Sequence, residues 1–229
     1  MDNNSDDIRV WGIHSKNDSL FLKNDLIAIG WSDFGDLTRV KANREAFKAH
    51  YAEVYPEAKK GQIANGAGML YRFLHEVQID DYVVFPSKTD RKINIGRIKS
   101  DYYFDDKDGE YVQRRNVEWL NHIPRLSFSQ GALYEVGSAM SFFSVKNYAD
   151  EFLSALEKDF KKAVPSADVE DESVGATAED IVESTKDFIL KELSRQLKGY
   201  ELEAFVADLL RAMGYRTTVS PQGGDSGID

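Results

Sequence analysis

One stretch without any hydrophobic period divides this chain. Residues 163–178, Ala-Val-Pro-Ser-Ala-Asp-Val-Glu-Asp-Glu-Ser-Val-Gly-Ala-Thr-Ala, are small and acidic and offer no apolar face to bury. Such a segment reads as a linker. Short β-prone runs precede it and amphipathic helices follow it, so the 229 residues suit two domains, 8–162 and 179–229. At 42% hydrophobic and 30% charged, the chain can bury a core. No apolar run reaches the roughly 18 residues of a membrane span, and no membrane partner is expected. The start, Met-Asp-Asn-Asn-Ser-Asp-Asp, is the opposite of a secretory signal. With no cysteine, disulfides, thiolate zinc sites and cysteine nucleophiles are excluded. A reducing cytoplasm fits both observations.

The first domain reads as α+β. Arg9–Ile13, Leu26–Ile29, Tyr82–Phe85, Ile93–Ile98, Val112–Trp119 and Phe142–Val145 are strand-like. Arg44–Val54 reads as a helix stopped by Pro56, and Ile63–Val77 as a second with Met69, Leu70, Phe73, Leu74 and Val77 on one side. Tyr148–Phe160 closes the domain as an amphipathic helix. Five or six short strands with few helices suggest a small, partly open barrel with flanking helices.

The net charge of −10 argues against indiscriminate nucleic-acid binding. It is uneven, with 21 Lys/Arg against 25 Asp/Glu in residues 1–160 and 6 against 14 in residues 164–229. Any contact with nucleic acid therefore needs a local basic patch. Lys88, Arg91, Lys92, Arg97 and Lys99 form one candidate, joined by Arg114 and Arg115 if the strands pair. Phosphate contacts of this kind carry affinity without sequence information. A solvated hairpin explains the same residues.

Trp11, Trp31 and Trp119 lie at strand ends or in adjoining loops. Trp31 stands out because it sits in a turn-rich polar stretch, Gly30-Trp31-Ser32-Asp33-Phe34-Gly35-Asp36. An extruded base needs stacking faces and a few polar groups. Trp31 and Trp11 could supply the faces, and Ser32 and Asp33 the polar contacts. A core position serves Trp11 and Trp119 equally well. Tyr102 belongs to three consecutive aromatics, at least one of which points away from the core, towards a ligand, a surface or a second copy in a homo-oligomer. The four histidines have no ligand spacing, and no Walker A loop, dinucleotide fingerprint or Gly-x-Ser-x-Gly elbow occurs.

In the second domain a helix begins near Glu179, with Ile181, Phe188, Ile189 and Leu193. A second runs through Tyr200–Leu210, its apolar stripe made by Leu202, Phe205, Val206, Leu209, Leu210 and Met213. Gly214 falls at the C′ position, where positive φ is cheap. A β-prone run follows, then a turn permitted by Gly223, Gly224 and Gly227, then Asp229. A carboxylate after such a turn can be offered to a divalent ion. A solvated aspartate after an ordinary helix-turn-strand fits the spacing too.

Two resemblances add to this reading. The helix Tyr200–Leu210, Met213-Gly214-Tyr215 and Gly223-Gly224-Asp225-Ser226-Gly227-Ile228-Asp229 resemble, in order, the opening of an Mrr-type restriction endonuclease catalytic domain of the PD-(D/E)XK fold. It covers about thirty residues. It implies that Asp229 is the first metal-binding aspartate, with Glu203 a supporting acid and Mg²⁺ or Mn²⁺ the cofactor of the complete nuclease. The family's following Glu/Gln-x-Lys strand lies past Asp229, so 179–229 is expected to be the truncated, mainly helical start of an α/β restriction-endonuclease-like domain, inactive by itself. Over residues 8–150, six blocks resemble the PUA-like superfamily, specifically the EVE-like domains at the front of predicted modification-dependent restriction enzymes. The blocks are Arg9–His14, Ile27–Leu37, Leu70–Phe73, Asp80–Pro86, Ile95–Tyr102 and Arg114–Trp119. A long insert between Trp31 and Asp80 departs from the pattern. The resemblance implies a pocket for a modified base on DNA, with RNA possible, lined by Trp11, Trp31, Ser32, Asp33, Tyr102 and Trp119, and no cofactor in this domain. The expected function is modification-dependent DNA restriction. Its competitor is a non-catalytic reader of modified DNA or RNA, and a Glu/Gln-x-Lys downstream of Asp229 separates the two.

Overall fold

Every residue of Val10–Ile13 (β1) and of Leu26–Ile29 (β2) is buried, which requires a sheet covered on both faces. The computed structural model describes residues 9–107, 109–157 and 178–219. They belong to two compact units, Met1–Ile181 and Val182–Asp229, and the architecture is α+β.

In the first unit Tyr82–Pro86 (β3), Lys92–Ile98 (β4), Tyr103–Phe104 (β5), Gln113–Pro124 (β6) and Phe142–Val145 (β7) join β1 and β2 in one sheet, ordered β2-β6-β4-β3-β1-β7 with β5 beside β6. Only β1 and β3 pair in parallel. The sheet is curled and open, with β2 and β7 at its ends. The curl runs through β6. Its first residues pair with β2 and β5 and the remainder with β4, across a register shift at Ile95/Gly96.

Period-2 alternation sends side chains to two cores. Trp11, Ile13, Val83, Phe85 and Phe142 pack with Phe21 of Asp18–Asn24 (α1), Phe47 of Arg44–Val54 (α2) and Leu70 and Phe73 of Lys60–His75 (α3). Val10, Val84, Ile93, Ile95 and Val145 pack on the other side with Leu133 of Gln130–Val136 (α4) and Phe152 of Ala149–Ser154 (α5). Side chains of Asn17, Asn43 and Ser129 cap α1, α2 and α4 by accepting from backbone N–H groups.

Several elements depart from the sequence expectation. The second long helix starts at Lys60 rather than Ile63, because Gln62 Oε1 accepts from Lys59 N at 2.8 Å. β6 runs five residues past Trp119, to Pro124. α5 is a short helix in place of one spanning Tyr148–Phe160, whose last three residues lie outside the described ones. α1, α4 and β5 were not expected.

Ala178–Gln196 (α6) begins four residues before the second unit, which holds the rest of it and Tyr200–Ala212 (α7). α7 ends as its sequence implies: Met213 caps it and Gly214 takes φ +90°. Leu202, Phe205, Val206, Leu209 and Met213 form its stripe and are exposed. Of the expected linker 163–178, Ala178 already begins α6 and the rest lies outside the described residues, as do Gly223, Gly224, Gly227 and Asp229.

Candidate functional site

The chain leaves β2 through Gly30 and turns at Trp31, which has φ 65° and ψ 51°. This left-handed conformation is uncommon for a bulky side chain and costs of order 1–3 kcal/mol. Ser32–Phe34 then form a 3-10 turn, and Gly35 has φ +74°. Phe34 anchors the turn on α2, with its ring 4.7 Å from His50 and 5.8 Å from Phe47. The Trp31 indole Nε1 donates to Tyr51 Oη at 2.9 Å. Tyr51 can lie that close to α3 because Gly66 has no Cβ to meet its ring.

This turn forms one wall of an open cleft of about 520 Å³. Trp31, Ser32, Asp33 and Tyr55 line one side, and Glu110 and Tyr111 come from the connection between β5 and β6. His14, Lys16, Lys88 and the Ser138–Ser141 segment complete it. The volume is ordinary for a small-ligand pocket. Three aromatic rings, two cations and two carboxylates suit a planar heteroaromatic group carrying a nearby negative charge. Burial, and then the Asp33 carboxylate, push the Tyr55 phenol up to about 12, so it remains a hydrogen-bond donor at neutral pH. His14 Nε2 lies 2.8 Å from Val136 O, which assigns its proton to that nitrogen.

Of the expected base-contacting residues, the structure brings together Trp31, Ser32 and Asp33. Trp11 is elsewhere. Its ring is 2% exposed, stacks on Phe142 at 5.1 Å and donates through Nε1 to Asp81 at 2.8 Å, so it has no face to offer a ligand. Trp119 is half-buried against the core and donates to Phe21 O. The Tyr102 hydroxyl is spent on Gln113 Oε1 at 2.5 Å and Leu37 N at 3.1 Å. Tyr55, Tyr111, His14, Lys16 and Glu110 are the cleft residues that sequence reasoning missed. Tyr55 and Glu110 come from the long insert and from a hairpin that no local pattern links to Trp31.

The expected basic patch divides. Lys88 lines the cleft, on a turn held by Asp18 Oδ2, which accepts from Ser87 Oγ at 2.7 Å and Thr89 N at 3.1 Å. Arg91 and Lys92 stand at the near end of β4. Arg97 and Lys99 stand at its far end, about 20 Å away for a strand of this length. There Arg97 bonds Tyr82 Oη and Lys99 lies between Asp80 and Glu118. Arg114 and Arg115 are not surface cations at all. They are 4% and 2% exposed. Arg114 donates to Asp105 and to Tyr111 O, both at 2.8 Å. Arg115 donates to the carbonyls of Phe73, Leu74 and Ser100 at 3.0–3.1 Å. Burial lowers its pKa to about 10, so it stays charged at neutral pH.

In the second unit Glu203 lies exposed in the first turn of α7. Asp229 lies outside the described residues. Among those described, no three His, Asp or Glu side chains gather as a metal site, and no helix is long and apolar enough to cross a membrane.

The first unit is thus an open α+β sheet with an aromatic, mixed-charge cleft at its strand ends. Residues 13–146, more than half of the chain, match the family described as Domain of unknown function (DUF8426), and the chain belongs to it. Residues 194–229 match the family described as Restriction endonuclease, so the C-terminal part is restriction-endonuclease-like. No curated protein matches the chain.

Proposed function

We propose that the protein is a DNA restriction nuclease whose first unit reads a modified base in the Trp31 cleft and whose second unit belongs to a metal-dependent catalytic domain. The observation that carries the first half is the cleft itself: aromatic rings from three separate segments beside exposed carboxylate, hydroxyl and lysine groups. The PUA-like character of the first unit is part of this reading, supported by the sequence blocks and by the cleft's place at the ends of β1, β2 and β3. The long insert, which departs from the PUA-like pattern, supplies Tyr55 to the wall. An extruded base would stack on Trp31 or Tyr111. Ser32, Asp33 and the neutral Tyr55 hydroxyl would meet its polar edge, and Lys16 and Lys88 the flanking phosphate.

The second half rests on the restriction endonuclease match over 194–229. Asp229 would hold a Mg²⁺ or Mn²⁺ ion, with Glu203 in support, because carboxylate oxygens are the donors such hard ions take. The bound ion would supply Lewis-acid polarisation of a phosphate and an activated water. This chain's own part is to present those carboxylates from α7 and from the segment after it.

The test is a binding titration of the chain against otherwise identical oligonucleotides carrying one 5-methylcytosine, 5-hydroxymethylcytosine, N6-methyladenine or unmodified base, single-stranded and duplex. Preference for one modified oligonucleotide, lost in Trp31→Ala, supports the reading. Equal binding of all, or of none, overturns it. For the nuclease half, a polypeptide carrying a Glu/Gln-x-Lys strand after Asp229 should cut that DNA with Mg²⁺ and stop doing so in Asp229→Ala. Metal-dependent cutting that survives Asp229→Ala would move the site elsewhere.

A further inference from the structure

Three consecutive polar residues at the start of β6 are buried: Gln113 at 0%, Arg114 at 4% and Arg115 at 2% exposure. They sit opposite Ile29, Ala28 and Ile27 of β2, and each reaches a different part of the molecule. Gln113 Nε2 donates to Gly35 O at 2.9 Å and Trp31 O at 3.4 Å. Its Oε1 lies 2.5 Å from Tyr102 Oη. A phenol has one proton to give, and the 3.3 Å separation from Asp36 Oδ1 is the longer of its two options, so the proton goes to Gln113. Tyr102 in turn accepts from Leu37 N. The turn bearing the left-handed Trp31 is thus held at both ends by one amide and one phenol. Arg114 does the same for the opposite wall, holding Tyr111 O and Asp105.

We propose that Gln113, with Tyr102, and Arg114 are positioning residues that set the separation of the Trp31 and Tyr111 walls, and through it which base the cleft accepts. The inference rests on the cleft being the base site. Residues in sparsely populated backbone conformations persist only where their surroundings over-determine them, and this pair of clamps supplies that constraint on Trp31. A cleft whose walls are fixed from one strand discriminates by width. A cleft with loose walls adapts to several ligands.

The experiment compares wild type with Tyr102→Phe, Gln113→Ala and Arg114→Lys. Arg114→Lys retains a charge for Asp105 but removes the Nε–H that Tyr111 O accepts. Hydrogen exchange of the indole N–H groups is read by NMR, with Trp11, bonded to Asp81, as the internal reference. Tyr102→Phe and Gln113→Ala should speed Trp31 exchange about tenfold, the scale of one lost hydrogen bond, with Trp11 unchanged. The preference among the modified oligonucleotides should fall by a similar factor in these two variants and in Arg114→Lys. Unchanged Trp31 exchange in Tyr102→Phe, or equal acceleration of Trp31 and Trp11, overturns the proposal even if Gln113→Ala fails to fold. If wild type binds none of the oligonucleotides, the base-site reading falls, and the exchange result alone decides whether the clamp exists.

Discussion

Trp31 is the residue on which most of the proposed recognition turns. Stacking on one aromatic face is worth about 1–3 kcal/mol per base, so Trp31→Ala should weaken binding of the preferred modified oligonucleotide roughly 5- to 150-fold and that of unmodified DNA far less. Equal losses on both, at unchanged melting temperature, would take the base out of the cleft. Tyr55 offers a second check. Its phenol is pushed up to about 12, first by burial and then by Asp33. Because the folded value lies above the 10.0 of an unperturbed phenol, stability linked to Tyr55 is present below pH 10 and is lost as pH rises from 10 to about 12. Asp33→Asn should bring the Tyr55 titration part of the way back towards 10, read as tyrosinate absorbance against Tyr55→Phe. No movement would mean that Asp33 does not face Tyr55. Trp31, Ser32 and Asp33 were legible in the sequence because a tryptophan inside a run of turn residues has no periodic core to join. Arg114 and Arg115 were misread for the converse reason: a charge is visible in the sequence, but a buried carbonyl waiting for it is not.

At the scale of elements, Arg115 joins the sheet to the last turn of α3 by donating to the Phe73 and Leu74 carbonyls, which lie past the helix's own backbone donors. Arg115→Ala should therefore lower stability by about 3 kcal/mol or more, measured by urea unfolding, while leaving the salt dependence of DNA binding unchanged. Lys92→Ala should do the opposite. A half-exposed cation costs about 0.5 kcal/mol or less to remove, but losing one phosphate contact flattens the log–log salt slope by about 0.7–0.9. A shallower slope in Arg115→Ala would return that residue to the surface role its charge suggests. Arg44–Val54 was readable because its apolar period is sustained over 11 residues, and it forms over the residues expected. α1 and α4 were not. Each has seven residues, too short for a period to emerge, and each depends on a side-chain cap and on packing against distant strands.

For the whole molecule, the loss of period after residue 162 reads as a boundary between two domains, whereas the compact units divide at Ile181/Val182, and the sheet order was not legible at all. The order follows from pairings such as β1 with β3, which brings Val10 opposite Tyr82, and no local pattern encodes a partner so far along the chain. The cores give the division a thermodynamic consequence. The fully buried residues of both clusters lie between Val10 and Ala155, so cutting the chain near Val169 removes none of them. The resulting fragment should unfold in a single cooperative transition. Its heat-capacity increment should be about 2 kcal/mol/K, the amount expected for about 150 ordered residues. The full chain should show the same transition at a melting temperature within a few degrees, because among the described residues both clusters are built from the first unit alone. Calorimetry of the two proteins side by side is the test. A fragment that binds a hydrophobic dye, lacks near-ultraviolet dichroism and melts without an endotherm would mean that the first unit requires the second to complete its core.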